Sequence, residues 1–233
     1  MKKLFPFLSL VFILSGCDVI KNLPATQPGI TESEAAQGIK EALAQGVTTA
    51  VFNLNRTDGF FGNAAYKLFL PPDAKKIENT LRDLGMGKQV DRAILQINRG
   101  AEDAVAFAKP IFADAIREMT LTEALNIVRG NDDAATQYFK QKTAQKLITA
   151  FTPSVQSSLD KVSATKYYGD IVNVYNKLPT TFNKVNPDLT SFVTGKAVDA
   201  LFDQVAKEEA NIRANPAARA TDILKKVFGS VVK

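Results

Sequence analysis

From Ile39 to Val227 apolar residues return every three or four positions, with one marked interruption between Asn55 and Pro72. That period puts side chains on one face of an α-helix, and it leaves little room for any sheet. The first stripe is Ile39, Leu43, Val47, Val51 and Leu54, and a second follows with Ile77, Leu81 and Leu84. A helix over Lys88 to Ala108 carries Val90, Ile94, Ile97, Ala101 and Val105, and the next carries Ile111, Phe112, Ala115, Ile116 and Met119. Thr120 to Arg129 reads as a short helix, and Ala135, Tyr138, Phe139, Leu147, Ile148 and Phe151 mark a longer one. Tyr168, Ile171, Val172, Tyr175 and Leu178 form an aromatic stripe before Pro179. A long helix from Asp188 to about Ala214 carries Leu189, Phe192, Val193, Leu201, Phe202, Val205 and Ile212, and Ile223, Leu224, Val227 and Phe228 mark a last one.

Start and stop signals agree with these spans. Thr31 with Glu34 fits a capping box, in which hydroxyl and carboxylate each bond the other's backbone N–H. Asn131-Asp132-Asp133 offers capping side chains and negative charge at a helix start, and Asp188 does the same for the long helix. Gly85, Gly130 and Gly229 read as helix ends. Thr152-Pro153 predicts a break with Pro153 opening a new helix, and Asn215-Pro216 predicts another break. Between Asn55 and Pro72 the period fails: Gly59-Phe60-Phe61-Gly62 is a loop with two aromatics. Tyr66 to Leu70 reads as an extended run stopped by Pro71-Pro72. The aromatics are expected to fold back and plug the core. The fold class is therefore all-α, one compact multi-helix domain over 31–233, with room for one short strand or hairpin near residues 60–70.

The N-terminus is of another kind. Lys2 and Lys3 precede an apolar run from Leu4 to Leu14, followed by Ser15, Gly16 and Cys17. Those are the parts of a secretory signal. Eleven residues at 1.5 Å each span about half of a ~30 Å hydrocarbon core, too short for a permanent transmembrane helix. Leu14-Ser15-Gly16-Cys17 looks like a lipobox, whose cysteine is acylated with chains such as palmitate and becomes the first residue of the mature protein. Residues 1–16 are then a lipoprotein signal peptide and 17–30, with Pro24 and Pro28, a flexible tether. The expected location is a membrane-anchored, periplasm-facing site in a Gram-negative envelope. Asp18 resembles the inner-membrane retention signal of enterobacteria, and inner and outer membrane both stay open.

Composition narrows the chemistry. There is no histidine, and Cys17 is the sole cysteine. Zinc sites with nitrogen or sulfur ligands, Ser-His-Asp and Cys-His catalysis and internal disulfides are excluded, so packing alone holds the fold. Removing Lys2 and Lys3 with the signal leaves 27 basic against 24 acidic residues, or +3 in place of the whole chain's +5. So mild a balance, with no basic stripe, does not point to nucleic acid. No metal site, catalytic residue or cofactor is assigned.

Three polar constellations remain. Asp91, Asn98 and Glu102 fall at i, i+7 and i+11 on the margin of one apolar stripe. They could bind a cation or act as an acid–base pair, or pair with Arg82, Arg117 or Arg129 to fix helix register; the second reading is preferred. Glu208, Glu209 and Arg213 precede Arg219. Glu209 and Arg213 are an i,i+4 pair in the favourable order, and Arg219 either binds an anion or ties the last helix to the long one. Asp132-Asp133 with Tyr138 is explained by helix capping.

Several of these stretches also recur together elsewhere. Leu81-Arg82-Asp83-Leu84-Gly85, Asn98 with Ala101-Glu102, Asp132-Asp133-Ala134-Ala135-Thr136-Gln137-Tyr138-Phe139, Glu208-Glu209 with Ile212-Arg213, and Asn215-Pro216 with Ala218-Arg219 occur in this order. Together they resemble the bacterial domain-of-unknown-function family 4197, over nearly all the mature length. The resemblance implies a secreted protein, often behind a lipoprotein signal, and carries no activity or catalytic residue with it. The reading is a lipid-anchored envelope protein acting by binding or as a structural partner, its small-molecule ligand and any envelope protein partner unknown. The alternatives are a carboxylate-based enzyme or cation-binding protein, and a carrier of a hydrophobic ligand held in an apolar cavity between helices.

Overall fold

Each apolar stripe becomes a helix whose striped face is buried. The computed structural model describes residues 31–177 and 184–231, and among them no strand is present. The helices are α1 (Glu32–Asn55), α2 (Lys75–Asp83), α3 (Gly87–Val105), α4 (Ala108–Glu118), α5 (Leu121–Arg129), α6 (Ala134–Asp160), α7 (Ala164–Asn176), α8 (Leu189–Ala214) and α9 (Asp222–Val231). Short 3-10 turns at Pro72–Ala74 and Pro216–Ala218 lead into α2 and follow α8. The signal, Cys17 and the tether lie outside the described residues. So do Leu178 and Pro179 and the side chains of Ile171, Tyr175 and Phe228. No helix of the described residues is long and apolar enough to cross a membrane.

The core is one continuous apolar cluster in which α3 packs on α6, α6 on α8, and α8 on α1. Phe112 of α4 meets Phe139 of α6 edge-on at 4.8 Å between ring centroids, and Phe202 of α8 at 6.0 Å. Such aromatic pairs contribute about 0.5–1.5 kcal/mol beyond their buried area. Gly100 lets α3 approach α6 closely: a Cβ there would sit 3.0 Å from Ser158 Cβ and 3.4 Å from Val155 Cα. The capping box at Thr31 forms, and the same device recurs at Thr120, which bonds Glu123 in both directions. Phe60 is fully buried, as expected of a core plug, whereas Phe61 is only half-buried, with Lys67 Nζ 4.1 Å from its ring centroid.

Four expectations are corrected. α6 runs unbroken through Pro153. Phe151 and Val155 are fully buried on either side of it, so packing outweighs the ~3 kcal/mol that an interior proline costs. Gly229 lies within α9 rather than ending it. The extended run near residue 68 pairs with no other strand; the buried Asn98 amide replaces one, accepting from Leu68 N–H and donating to Leu68 C=O, both at 2.8 Å. Asp132 and Asp133 do not close the α6 N-terminus by a side-chain cap. That function falls to Glu209, from α8.

Candidate functional site

The polar residues singled out in the sequence do not converge. Asp91 stands in the second turn of α3 and Glu102 in its last, about 16 Å apart along the axis at 1.5 Å per residue. Asp91 is 67% exposed and pairs with Arg82 Nη1 at 2.9 Å. Asn98 is fully buried and spends its amide on Leu68 and on the Ile94 carbonyl, at 2.7 Å. Glu102 is buried beside the aromatic loop. Its Oε1 accepts the N–H groups of Phe60 and Phe61 at 3.0 and 3.2 Å, and its Oε2 meets Arg99 Nη1 at 2.6 Å. Arg99 reaches on to Asp58, whose φ of +65° turns the loop.

Glu209 repeats this logic on α8. It accepts the Ala135 and Thr136 N–H groups at 3.0 and 2.9 Å and the Thr136 hydroxyl at 2.8 Å, which satisfies donors that a helix start leaves open. Arg213 neutralises it at 2.8 Å and donates to Ile127 C=O. Arg219 is buried and donates to the carbonyls of Ile212 and Arg213, so it ties the segment after α8 back onto α8. Glu208 faces another way, and burial pushes its carboxyl above the usual range. The two buried carboxylates of these sets, Glu102 and Glu209, have their oxygens engaged by backbone N–H groups and an arginine, an arrangement that holds a fold. Among the described residues no cluster of three or more His, Cys, Asp or Glu is placed to hold a metal ion.

The open space lies elsewhere. Between α2 and the first half of α3 on one side, and the α6–α7 turn with α7 on the other, runs a groove of about 530 Å³. Ile77, Leu81, Val90 and Ala93 form one wall, and Val162, Ala164 and Tyr168 the other, with Leu189 between them. Met86 and Tyr167 stand at its mouth, 38% and 60% exposed. Tyr168 donates to the Asn186 carbonyl at 3.2 Å, and burial, with a smaller contribution from Asp73, pushes its hydroxyl up to about 12. It is a neutral donor at any ordinary pH. Arg92 and Lys161 are the charged residues of the lining, and among the described residues no carboxylate lines the groove.

The turn that carries the second wall is strained. Ser163 has φ of +54°, in the left-handed region that costs an L-residue about 1–2 kcal/mol. It lets α6 end and α7 start within a few residues, so that Lys161 and Val162 face α3. Sequence reasoning missed this site. Tyr168 and Val90 looked like core residues, which they also are, while Tyr167, Arg92 and Lys161 fell off every stripe. A glycine at 163 would have signalled the turn; serine does not.

No curated protein and no solved structure matches the chain. The family described as protein of unknown function DUF4197 matches residues 29–229, and the chain belongs to it.

Proposed function

We propose that this member of the family is a lipid-anchored, periplasm-facing binding protein that takes an apolar ligand in the groove between α3 and α7. The groove carries the proposal. Its volume lies in the range of ligand sites, about 300–1,000 Å³, and its lining is mostly apolar with a few polar groups, as such sites are. The engagement of Asn98, Glu102 and Glu209 in holding the fold supports binding over carboxylate catalysis. The anchor rests on Leu14-Ser15-Gly16-Cys17 and the preceding apolar run. Acyl chains on Cys17 would hold the protein at a membrane, each buried methylene contributing ~0.8 kcal/mol.

Two measurements test the two halves. Cys17→Ser in the full chain should leave an unprocessed or soluble form on membrane fractionation; unchanged fractionation refutes the anchor. The chain produced from residue 17 onward without the signal, with Cys17→Ser, should enhance the fluorescence of the neutral apolar probe N-phenyl-1-naphthylamine, and Ala93→Phe, which fills the groove, should abolish that enhancement. A folded wild-type groove that takes up no probe refutes the ligand half.

A further inference from the structure

We infer that the ligand of this groove is a single-chain amphiphile with an anionic head, a fatty acid being the simplest case. The inference rests on the groove being a ligand site and adds the chemistry of the occupant. A groove of about 530 Å³ has room for a molecule of drug size, hence for one acyl chain. Ile77, Leu81, Val90 and Leu189 offer the chain an apolar bed.

The charged residues that line the groove have one sign. Arg92 from α3 and Lys161 from the end of α6 stand on opposite walls, and both are exposed. Among the described residues neither has an ion-pair partner, whereas Arg82, Arg99, Arg117 and Arg213 are each engaged by a carboxylate. Lys166 adds a third cation, 5.9 Å from the centroid of the Tyr167 ring at the mouth. Asp91, the acid one residue from Arg92, is held by Arg82 at 2.9 Å. An apolar trough with two uncommitted cations at its rim is complementary to a carboxylate on an alkyl chain. Arg92 would meet the head through its planar fork and Lys161 as a point charge. Below them Tyr168 is kept neutral chiefly by burial; Asp73, the acid that acts on it from outside the lining, contributes less.

The chain has no tryptophan, which supplies a clean reporter. Tyr167→Trp in the chain produced from residue 17 onward with Cys17→Ser places a single indole at the mouth of the groove; Phe52→Trp, on the exposed side of α1, is the control. Decanoate, decanol and decylammonium are titrated against both. Decanoate is expected to shift the emission of the Trp at 167 and not of that at 52, and to bind at least tenfold more tightly than decanol, with decylammonium weakest. Adding Arg92→Gln and Lys161→Gln, both at exposed positions, should weaken decanoate about tenfold and leave decanol unchanged, the scale of two rim ion pairs. Raising salt should erode the same difference. Equal binding of decanoate and decanol, or no effect of the double substitution, overturns the inference and leaves an apolar groove standing. Failure of all three probes to move the Trp at 167 overturns both.

Discussion

At the scale of single residues, the fold depends on a few polar side chains that complete backbone hydrogen bonds. Asn98 is the sharpest case, since it serves both the N–H and the C=O of Leu68. Asn98→Asp would set a buried carboxylate against the carbonyls of Leu68 and Ile94, at a cost of about 3–5 kcal/mol near neutral pH. Urea unfolding should show the loss, and acidification should recover part of it, because a protonated Asp again donates. Ser163 offers the opposite test. With φ of +54°, Ser163→Gly removes strain while adding chain entropy, for a net gain of about 0.5–1 kcal/mol. A rise in Tm of about 1–4 °C is expected in a chain of this size. Asn98 was visible in the sequence as a polar residue on a stripe margin, but its partner, a backbone 30 residues away, was not. Periodicity reports which face is buried, not which backbone lies against it.

Among the elements, helix starts and stops were the most legible part, since Thr31, Glu34 and Asp188 act within one turn of themselves. Local signals failed where a distant element did the work. Asp132 and Asp133 carry the composition of a cap, yet the α6 N-terminus is closed by Glu209, some 73 residues later. Glu209→Gln keeps one acceptor, loses the charge, and sets an NH₂ against a backbone N–H. The expected cost is about 2–4 kcal/mol, in line with a buried hydrogen bond to a charged group. Hydrogen exchange should find the amides of Ala135 to Phe139 losing protection before those of α3. The continuous α6 makes the same point, since Pro153 signalled a break that packing overrode.

For the molecule as a whole, acid is the informative perturbation. With no histidine, little is expected to titrate between about pH 5 and 8, so stability should hold level there. The hydrogen bond from Lys226 holds Glu34 down to about 2, and that from Lys142 does the same for Glu123, each helped by its capping threonine. The unfolded chain takes up these protons near the ordinary 4.5, before the folded one does. The stability they add is thus present above about pH 4.5 and lost as pH falls toward 2. The urea midpoint should fall across that window, and Glu34→Gln with Glu123→Gln should flatten the fall. Glu208 has the opposite sign. Burial raises its carboxyl, so ionisation at neutral pH works against the fold, and Glu208→Gln should raise the urea midpoint at pH 7. The all-α class and the single core were readable at this scale. The groove was not, because it exists only where α3 and the α6–α7 turn stand apart.

The Asn98 amide has a consequence for crowding. An extended segment in a helical protein presents a bare row of backbone donors and acceptors, and such a row recruits a matching segment from a second molecule. Here Leu68, at the middle of the segment, has both its backbone pairing groups occupied from within by one side chain that cannot propagate a ladder. Copies of the chain crowded together would therefore find no strand-to-strand seed at Leu68.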